Sequence, residues 1–335
     1  MYSHEVKRLK ILIMGERARY DRFMPDSDFI KSCELVFVPR GATAAEALDA
    51  AADADILFAD AISIVSGEQI RGMKNLKLIH SEGVACNGFD LKTARELGIN
   101  VCNNKGANAH SVAEQAIYLM LGYLRSAVTG DAAVRAGLQI QTKERAMRDG
   151  ITELGECTVG IVGLGDIGLA TVKLLKTFGC EICYWNRHRK PEAEEEFGIE
   201  YLSLNELAAQ SDIVSLHLAV TPETTNICGR EFISHMKKNA FIVNTARGEL
   251  VDNEALRDAI IENRIAGASL DCVAPEPVKT DNVLLNLPEE YKYKILFSPH
   301  LGGITTRAFR RIYTHMWQNA ERVANGLEPD CIVNL

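Results

Sequence analysis

Three side chains suited to proton and anion chemistry stand in the second half of the chain. Each lies just beyond an apolar run and is flanked by prolines or glycines. Arg247 sits in Asn244-Thr245-Ala246-Arg247-Gly248. Glu276 sits in Asp271-Cys272-Val273-Ala274-Pro275-Glu276-Pro277, and His300 in Ser298-Pro299-His300-Leu301-Gly302-Gly303. An arginine presents a rigid fork that binds a carboxylate and polarises a carbonyl oxygen. A histidine gives or takes a proton near neutrality. A carboxylate beside it orients the ring and raises its proton affinity. Singly, each has an ordinary explanation as a capping arginine, a loop histidine or a solvated turn glutamate. Brought to one crevice, they make a coherent set for reducing a 2-keto acid.

Cys157 to Gly168 supplies the matching nucleotide signal. The β-branched run Thr158 to Val162 leads into Gly163-Leu164-Gly165-Asp166-Ile167-Gly168, and Leu169 to Phe178 follows with helical apolar spacing. Strand, glycine turn and helix in that order form a dinucleotide fingerprint. Gly163 permits the tight turn, Gly165 lets the backbone approach a pyrophosphate, and Gly168 lets the helix pack close on the strand. The free amides of the helix start, from Gly165 through Asp166 and Ile167 to Gly168, then face the phosphates.

Elements that could position these residues are legible as two α/β series. Strands are expected at Lys10 to Met14, Leu35 to Val38, Ile56 to Phe58, Leu76 to Ile79 and Ile99 to Cys102, alternating with short helices. The polar segment 103–108 reads as a hinge, followed by a long apolar helix over Ser111 to Arg125 and a polar helical stretch over Thr129 to Glu153. After the fingerprint, strands are expected at Glu181 to Trp185, Ile213 to Leu218, Phe241 to Asn244, Gly267 to Asp271 and Ile295 to Ser298. Such alternation implies parallel, doubly wound sheets with ligands beyond the strand C-termini. A final helix, Thr305 to Asn325, is expected to cross back to the first domain.

In these motifs the sequence resembles the D-2-hydroxyacid dehydrogenases over nearly its whole length, as a short form without a regulatory domain. The likeness is strongest in Thr158 to Gly168, Ser211 to Leu218, Thr221-Pro222-Glu223-Thr224, Asn244 to Asp252, Gly267 to Pro277 and Ser298 to Gly303. The resemblance implies two Rossmann-like α/β domains with the active site in the cleft between them. Residues 1–104 and 300–335 would form a flavodoxin-like substrate domain, and 105–299 the NAD(P)-binding domain. It implies Arg247, Glu276 and His300 as the catalytic triad. Leu218, Thr245, Ala246, Asp271 and Gly302, with Arg247 and His300, would line the cofactor. Ser81 to Asn87 resembles the substrate loop, with the amides of Gly83, Val84 and Ala85 holding the substrate carboxylate beside Arg247 and His300. Domain closure about 103–107 and Pro299 would exclude water, and the family's dimerisation through its cofactor domain implies a homodimer.

Departures from the family pattern bear on specificity. Asn186 stands where an NAD enzyme usually carries an acid for the ribose hydroxyls, and Arg187-His188-Arg189-Lys190 follows. Asparagine followed by basic residues would bind a 2′-phosphate, so NADP(H) is expected, with NAD(H) the alternative if the cluster is only a solvated turn. Asp60 replaces an arginine that phosphoglycerate-type relatives use for the substrate phosphate, and Glu82 adds a second acid beside the substrate loop. Two acids there would disfavour phosphorylated or dicarboxylic substrates. Ala85 replaces a family glycine, Asn87 a common aspartate, and Lys105 a frequent hinge proline.

Bulk properties limit the alternatives. The chain has 335 residues and a formal charge of −8, with no basic face suited to nucleic acid. It shows no apolar run of membrane-spanning length and no signal-peptide pattern. Nine scattered cysteines suit a reduced cytoplasmic protein, and no metal-ligand set is expected. Cys180 and Cys183, three apart on a strand, would point to opposite faces as buried thiols. The expected function is reduction of a small 2-keto acid to its D-2-hydroxy acid by hydride transfer from NAD(P)H, His300 serving as general acid and base. The competing reading from another class is a nucleotide-sensing corepressor on the same fold.

Overall fold

The computed structural model describes residues 8–335. The chain divides into two compact units, one comprising the residues up to Asn108 with Thr305–Leu335, the other Ala109–Ile304. The expected boundaries, 104/105 and 299/300, thus lie four and five residues short of the observed divisions. His300 consequently belongs to the second unit. Its backbone N–H donates to the Asp271 carbonyl at 2.9 Å, which ties the loop to the second unit's own sheet.

The first unit opens with β1 (Lys10–Met14), α1 (Arg17–Phe23), α2 (Asp28–Ser32), β2 (Glu34–Val38) and α3 (Ala44–Ala51). It continues with β3 (Ile56–Ala59), α4 (Gly67–Gly72), β4 (Leu78–Ser81), α5 (Leu91–Glu96) and β5 (Asn100–Cys102). The strands are parallel in the order β2-β1-β3-β4-β5, the flavodoxin-like form of the doubly wound sheet. β1 is apolar after Lys10, β3 is apolar throughout, and both are almost wholly buried, as strands covered on both faces must be, while β4 is buried throughout with His80 and Ser81 at its end. Three of the unit's helices, α3, α4 and α5, start where side chains supply caps. Thr43 forms a capping box with Glu46, and Ser66 and Asp90 accept from the amides of Gln69 and Thr93. β4 starts two residues later than the sequence pattern places it, because the Leu76 N–H bonds back to the Met73 carbonyl in a turn. The shift brings His80 and Ser81 into the strand end.

The second unit begins with α6 (Ala109–Leu124), α7 (Ala127–Arg135) and α8 (Gln139–Asp149). The fingerprint follows as β6 (Thr158–Val162) and α9 (Asp166–Phe178), then β7 (Glu181–Trp185), α10 (Pro191–Phe197), β8 (Glu200–Tyr201), α11 (Leu204–Gln210) and β9 (Ile213–Leu216). It ends with α12 (Arg230–His235), β10 (Phe241–Asn244), α13 (Asn253–Ile261), β11 (Gly267–Leu270) and β12 (Ile295–Phe297). Seven parallel strands run in the order β12-β11-β10-β9-β6-β7-β8, so the direction of winding reverses between β6 and β9. Ligands of such sheets bind outside the strand C-termini at that reversal. Cys180, one residue before β7, and Cys183 within it enter different apolar clusters. All nine cysteines are free.

The last helix, α14 (Thr306–Ala324), belongs to the first unit and is capped by the Thr305 hydroxyl. Ile312, Tyr313, Met316, Trp317 and Ala320 share one face and pack with Ile11, Ile13, Ile56, Phe58 and Leu78 of the first sheet. The expected return of the chain to the first domain is therefore driven by a single apolar stripe. Among the described residues, no helix is long and apolar enough to cross a membrane.

Candidate active site

The glycines of the fingerprint each meet a distinct steric demand. Gly163 has φ +102°, and a Cβ there would stand 2.9 Å from the His217 carbonyl. At Gly168 a Cβ would lie 2.2 Å from the Gly163 carbonyl oxygen, so α9 can approach β6 only with hydrogen at that place. Gly165 differs: a Cβ would find nothing within 4 Å. No protein contact requires glycine there, and no side chain caps the start of α9. An uncapped helix N-terminus beside open backbone is the geometry that receives a pyrophosphate. Two buried polar atoms at neighbouring strand ends, Thr245 Oγ1 and His217 Nδ1, also lack hydrogen-bond partners. Burial lowers the His217 pKa to about 4, so this imidazole is neutral, its Nε2 paired with Ser215 Oγ at 2.9 Å. The residues present thus fit a dinucleotide. Gly165→Ala should leave thermal stability within about 0.5 kcal/mol. It should weaken nucleotide affinity at least about tenfold, or 1.4 kcal/mol. Calorimetric titration and a melting curve on the same sample check both halves.

Beyond β7, Asn186 accepts from the Leu164 amide at 3.1 Å and donates to the His188 carbonyl at 2.9 Å. It ties the glycine turn to the basic segment. Of that segment, Arg189 is engaged by Glu194 through two guanidinium nitrogens, and Lys190 Nζ donates to the Leu164 carbonyl at 2.6 Å. The Glu194 carboxyl is held down to about 2 by Arg189 and by the Tyr184 hydroxyl. Arg187 reaches Glu223 only at 4.0 Å with both side chains largely exposed. Arg187 is therefore the cation of this segment left open to an added anion, with the His188 side chain beside it in sequence.

Arg247, Glu276 and His300 are drawn together by close backbone approach. A Cβ on Gly248 would sit 2.1 Å from the Ala274 amide nitrogen, so the loop after β10 lies directly on the loop after β11. Arg247 donates through one terminal nitrogen to its neighbour's carbonyl, Ala246 O, at 2.6 Å. The Cys272 thiol donates to the same oxygen at 3.3 Å. From there the chain runs through cis Ala274-Pro275 and Glu276-Pro277 peptides to Glu276. Glu276 Oε1 lies 2.5 Å from His300 Nδ1, with both side chains 40% exposed. An ionised carboxylate only accepts, so Nδ1 carries the proton toward it and Nε2 is left to face a reactant.

The residue that holds this histidine is Asp271. Expected along the cofactor, its carboxylate is buried and accepts the amides of Leu301 at 3.0 Å and Gly302 at 2.9 Å. Gln115 bridges Asp271 and Ser298 from α6, a role the sequence reading did not assign. His300 itself has φ 55°, a left-handed conformation that this clamp sustains. Gly302 in turn accepts from Ser111 Oγ through its carbonyl at 2.6 Å.

In the first unit, three successive carbonyls of the loop after β4 are engaged. Gly83 O accepts from the Asn104 amide, Val84 O from Asn103 Nδ2 and Ala85 O from Ser81 Oγ. The amides of Val84 and Ala85 are left without a partner among the described residues. The Gly83 amide is spent on Ser81 Oγ at 3.2 Å. Asn103 and Asn104, read from sequence only as hinge residues, are the groups that present this loop.

Asp60 and Glu82 do not stand as two free negative charges. Arg19, from α1, reaches Asp60 at 2.6 Å and Glu82 at 3.1 Å, and Tyr20 donates to Glu82 at 2.8 Å. Burial pushes the Glu82 carboxyl up to about 7, against the opposing pull of Arg19. The trio therefore carries at most one net negative charge. The expected repulsion of phosphorylated substrates loses its physical basis, because Arg19, 41 residues from Asp60 in sequence, supplies a compensating cation. Lys105 is exposed, and Glu114 pairs with His110 on the surface of α6.

A family model described as D-isomer specific 2-hydroxyacid dehydrogenase, NAD binding domain, matches residues 117–302. With the relatives below, this shows that the chain belongs to the D-isomer specific 2-hydroxyacid dehydrogenases, oxidoreductases that interconvert 2-keto and D-2-hydroxy acids with a nicotinamide cofactor. The chain is 35% identical over 300 residues to glyoxylate reductase of Thermococcus litoralis, covering 88% of this chain and 87% of that protein. It is 36% identical over 301 residues to D-3-phosphoglycerate dehydrogenase of Methanocaldococcus jannaschii, covering 90% of this chain but 55% of that protein. The chain thus spans about half the length of that relative. A solved glyoxylate reductase from Paecilomyes thermophila superposes with TM-score 0.80 at 28% identity, covering 98% of each chain. A Thermus thermophilus structure does so with TM-score 0.81 at 30% identity, covering 97% of this chain and 99% of that one.

Proposed function

We propose that this chain reduces a small 2-keto acid, with His300 as proton donor, Glu276 as its orienting carboxylate and Arg247 as the substrate's anchor. The observation that carries the reading is the 2.5 Å contact of His300 Nδ1 with Glu276, which fixes the ring with Nε2 free. Bound NAD(P)H supplies the hydride. Around it, the protein has to hold the carbonyl carbon in line and neutralise the oxygen as charge develops. Arg247 has one terminal nitrogen on Ala246 and keeps the rest of its fork for the substrate. His300 Nε2–H gives its proton to the forming alkoxide, and the Glu276 carboxylate stabilises the charged ring that precedes transfer. The amides of Val84 and Ala85 are the proposed second hold on the substrate carboxylate. The cofactor contacts expected of Leu218, Thr245, Ala246 and Gly302 stand as part of the same proposal.

NADP(H) is the proposed carrier. Asn186 places no carboxylate at the ribose, and Arg187 and His188 remain uncommitted for a 2′-phosphate. Two further proposals concern its setting. α7 and α8 bury no residue, while Val128, Val134, Leu138, Ile140 and Met147 stand 48–75% exposed, an apolar surface suited to a second copy. A homodimer is the expected mass by light scattering. Nine free thiols, seven of them buried, fit the reducing cytoplasm.

The deciding experiment follows oxidation of NADPH and NADH with a panel from glyoxylate to phenylpyruvate, 3-phosphohydroxypyruvate included. The expected result is turnover with NADPH exceeding that with NADH, the best keto acid of the panel giving the size and charge the pocket accepts. Tight nucleotide binding without turnover of any panel member would sink the reductase reading in favour of a nucleotide-sensing module.

A further inference from the structure

We propose that Cys272, Glu276 and His300 form an inhibitory site for a zinc ion. The thiol sulfur, a Glu276 carboxylate oxygen and a ring nitrogen of His300 all lie within 4.8 Å of one another. Thiolate, carboxylate and imidazole are each ordinary zinc ligands, and three protein ligands with one open position is a common zinc arrangement. A mixed sulfur, nitrogen and oxygen set favours a borderline-soft ion over magnesium or calcium, which prefer oxygen alone.

The three groups are presented without help from a metal. Asp271 clamps the His300 loop through the amides of Leu301 and Gly302, and Gly248 holds the Ala274 backbone close. The Glu276 and His300 side chains are each 40% exposed, giving an ion a way in, while Cys272 is buried beneath them. The thiol's present contact is a 3.3 Å hydrogen bond to the Ala246 carbonyl, a weak bond to give up. On binding, the thiol releases its proton to solvent, and the ring gives up its Nδ1 proton while Nε2 keeps or takes one, so that a thiolate, a neutral imidazole and a carboxylate each give the ion a lone pair. Nothing is oxidised or reduced. The hydrogen bond that holds His300 for proton transfer is then replaced by coordination. Only the inhibition rests on the reductase reading; the binding does not.

The test uses the full chain with zinc and cobalt chlorides as probes. Cobalt should give a thiolate-to-metal charge-transfer band that titrates to one ion per chain and is erased by added zinc. Zinc should silence keto acid reduction, and a chelator should restore it. Cys272→Val and Cys272→Ser should both lose the band and keep zinc-free turnover. In both, the half-inhibiting zinc concentration should rise by at least about 10–100-fold, the loss that even an outer-shell substitution causes. Serine, the closer match in volume, guards against a valine variant that folds poorly. Absence of a thiolate band in the parent protein would overturn the proposal, as would equal zinc sensitivity in the parent and both variants. If no keto acid is reduced, the reductase reading falls and the cobalt band alone decides the site.

Discussion

His300→Ala should lower turnover about 10²–10⁴-fold while nucleotide affinity stays nearly unchanged. The expected separation of the two readouts follows from how the loop is held. The bonds that place it run from backbone groups: His300 N–H to Asp271 O, and the Leu301 and Gly302 amides to the Asp271 carboxylate. None involves the imidazole, so its removal deletes a proton donor and leaves the loop in place. The left-handed backbone at φ 55° adds one complication, since alanine gains no local hydrogen bond there. His300→Asn, which tolerates that conformation, is the matching control and should lose as much turnover with less loss of stability. Glu276→Gln should cost less than either, because an amide oxygen can still accept from Nδ1 while no longer stabilising a charged ring. Steady-state kinetics with the best keto acid, paired with nucleotide titration, checks the series. Unchanged turnover in both histidine variants would remove His300 from the chemistry.

Arg247→Lys should reduce kcat/KM about 10²–10³-fold, the scale of losing a preorganised donor to developing oxyanion charge. A lysine keeps the positive charge and most of the length, so a purely electrostatic role would be largely preserved. It cannot keep two parallel donors while also bonding a backbone carbonyl, as Arg247 does with Ala246 O. The surrounding turn is secured by backbone groups and Asn244, whose amide donates to Arg247 O and whose oxygen accepts from Ala246 N. The variant should therefore fold normally, with an unchanged melting curve. Turnover within about twofold of the parent would mean that a point charge suffices and that bidentate recognition is not used.

Much of this architecture was legible because it is encoded locally. The glycine fingerprint, the apolar strands and the polar residues after β10, β11 and β12 are short contiguous signals. Each has a steric or hydrogen-bonding reason that acts within a few residues. β8, α10 and α12 were not expected from sequence; they are two, seven and six residues long, lengths that display no reliable period. β9 ends at Leu216 rather than Leu218, which leaves His217 with a buried, unpaired Nδ1 that no periodicity could have marked.

Charge accounting was the part that required the fold. From sequence, Arg187 to Lys190 is a uniform basic run, yet Glu194 takes Arg189 and the Leu164 carbonyl takes Lys190. Asp60 and Glu82 look like two bare acids until Arg19 and Tyr20 arrive, the latter from 62 residues away. The sequence by itself determined the two parallel sheets and the nucleotide-binding turn, and it singled out Arg247, Glu276 and His300 as the proposed site. Tertiary structure alone decided which charges remain unpaired, which amides stay open and which thiol lies beneath the histidine. The physical reason is that backbone propensity and steric need act along the chain, whereas ion pairing and burial depend on groups brought close only after the sheets have formed.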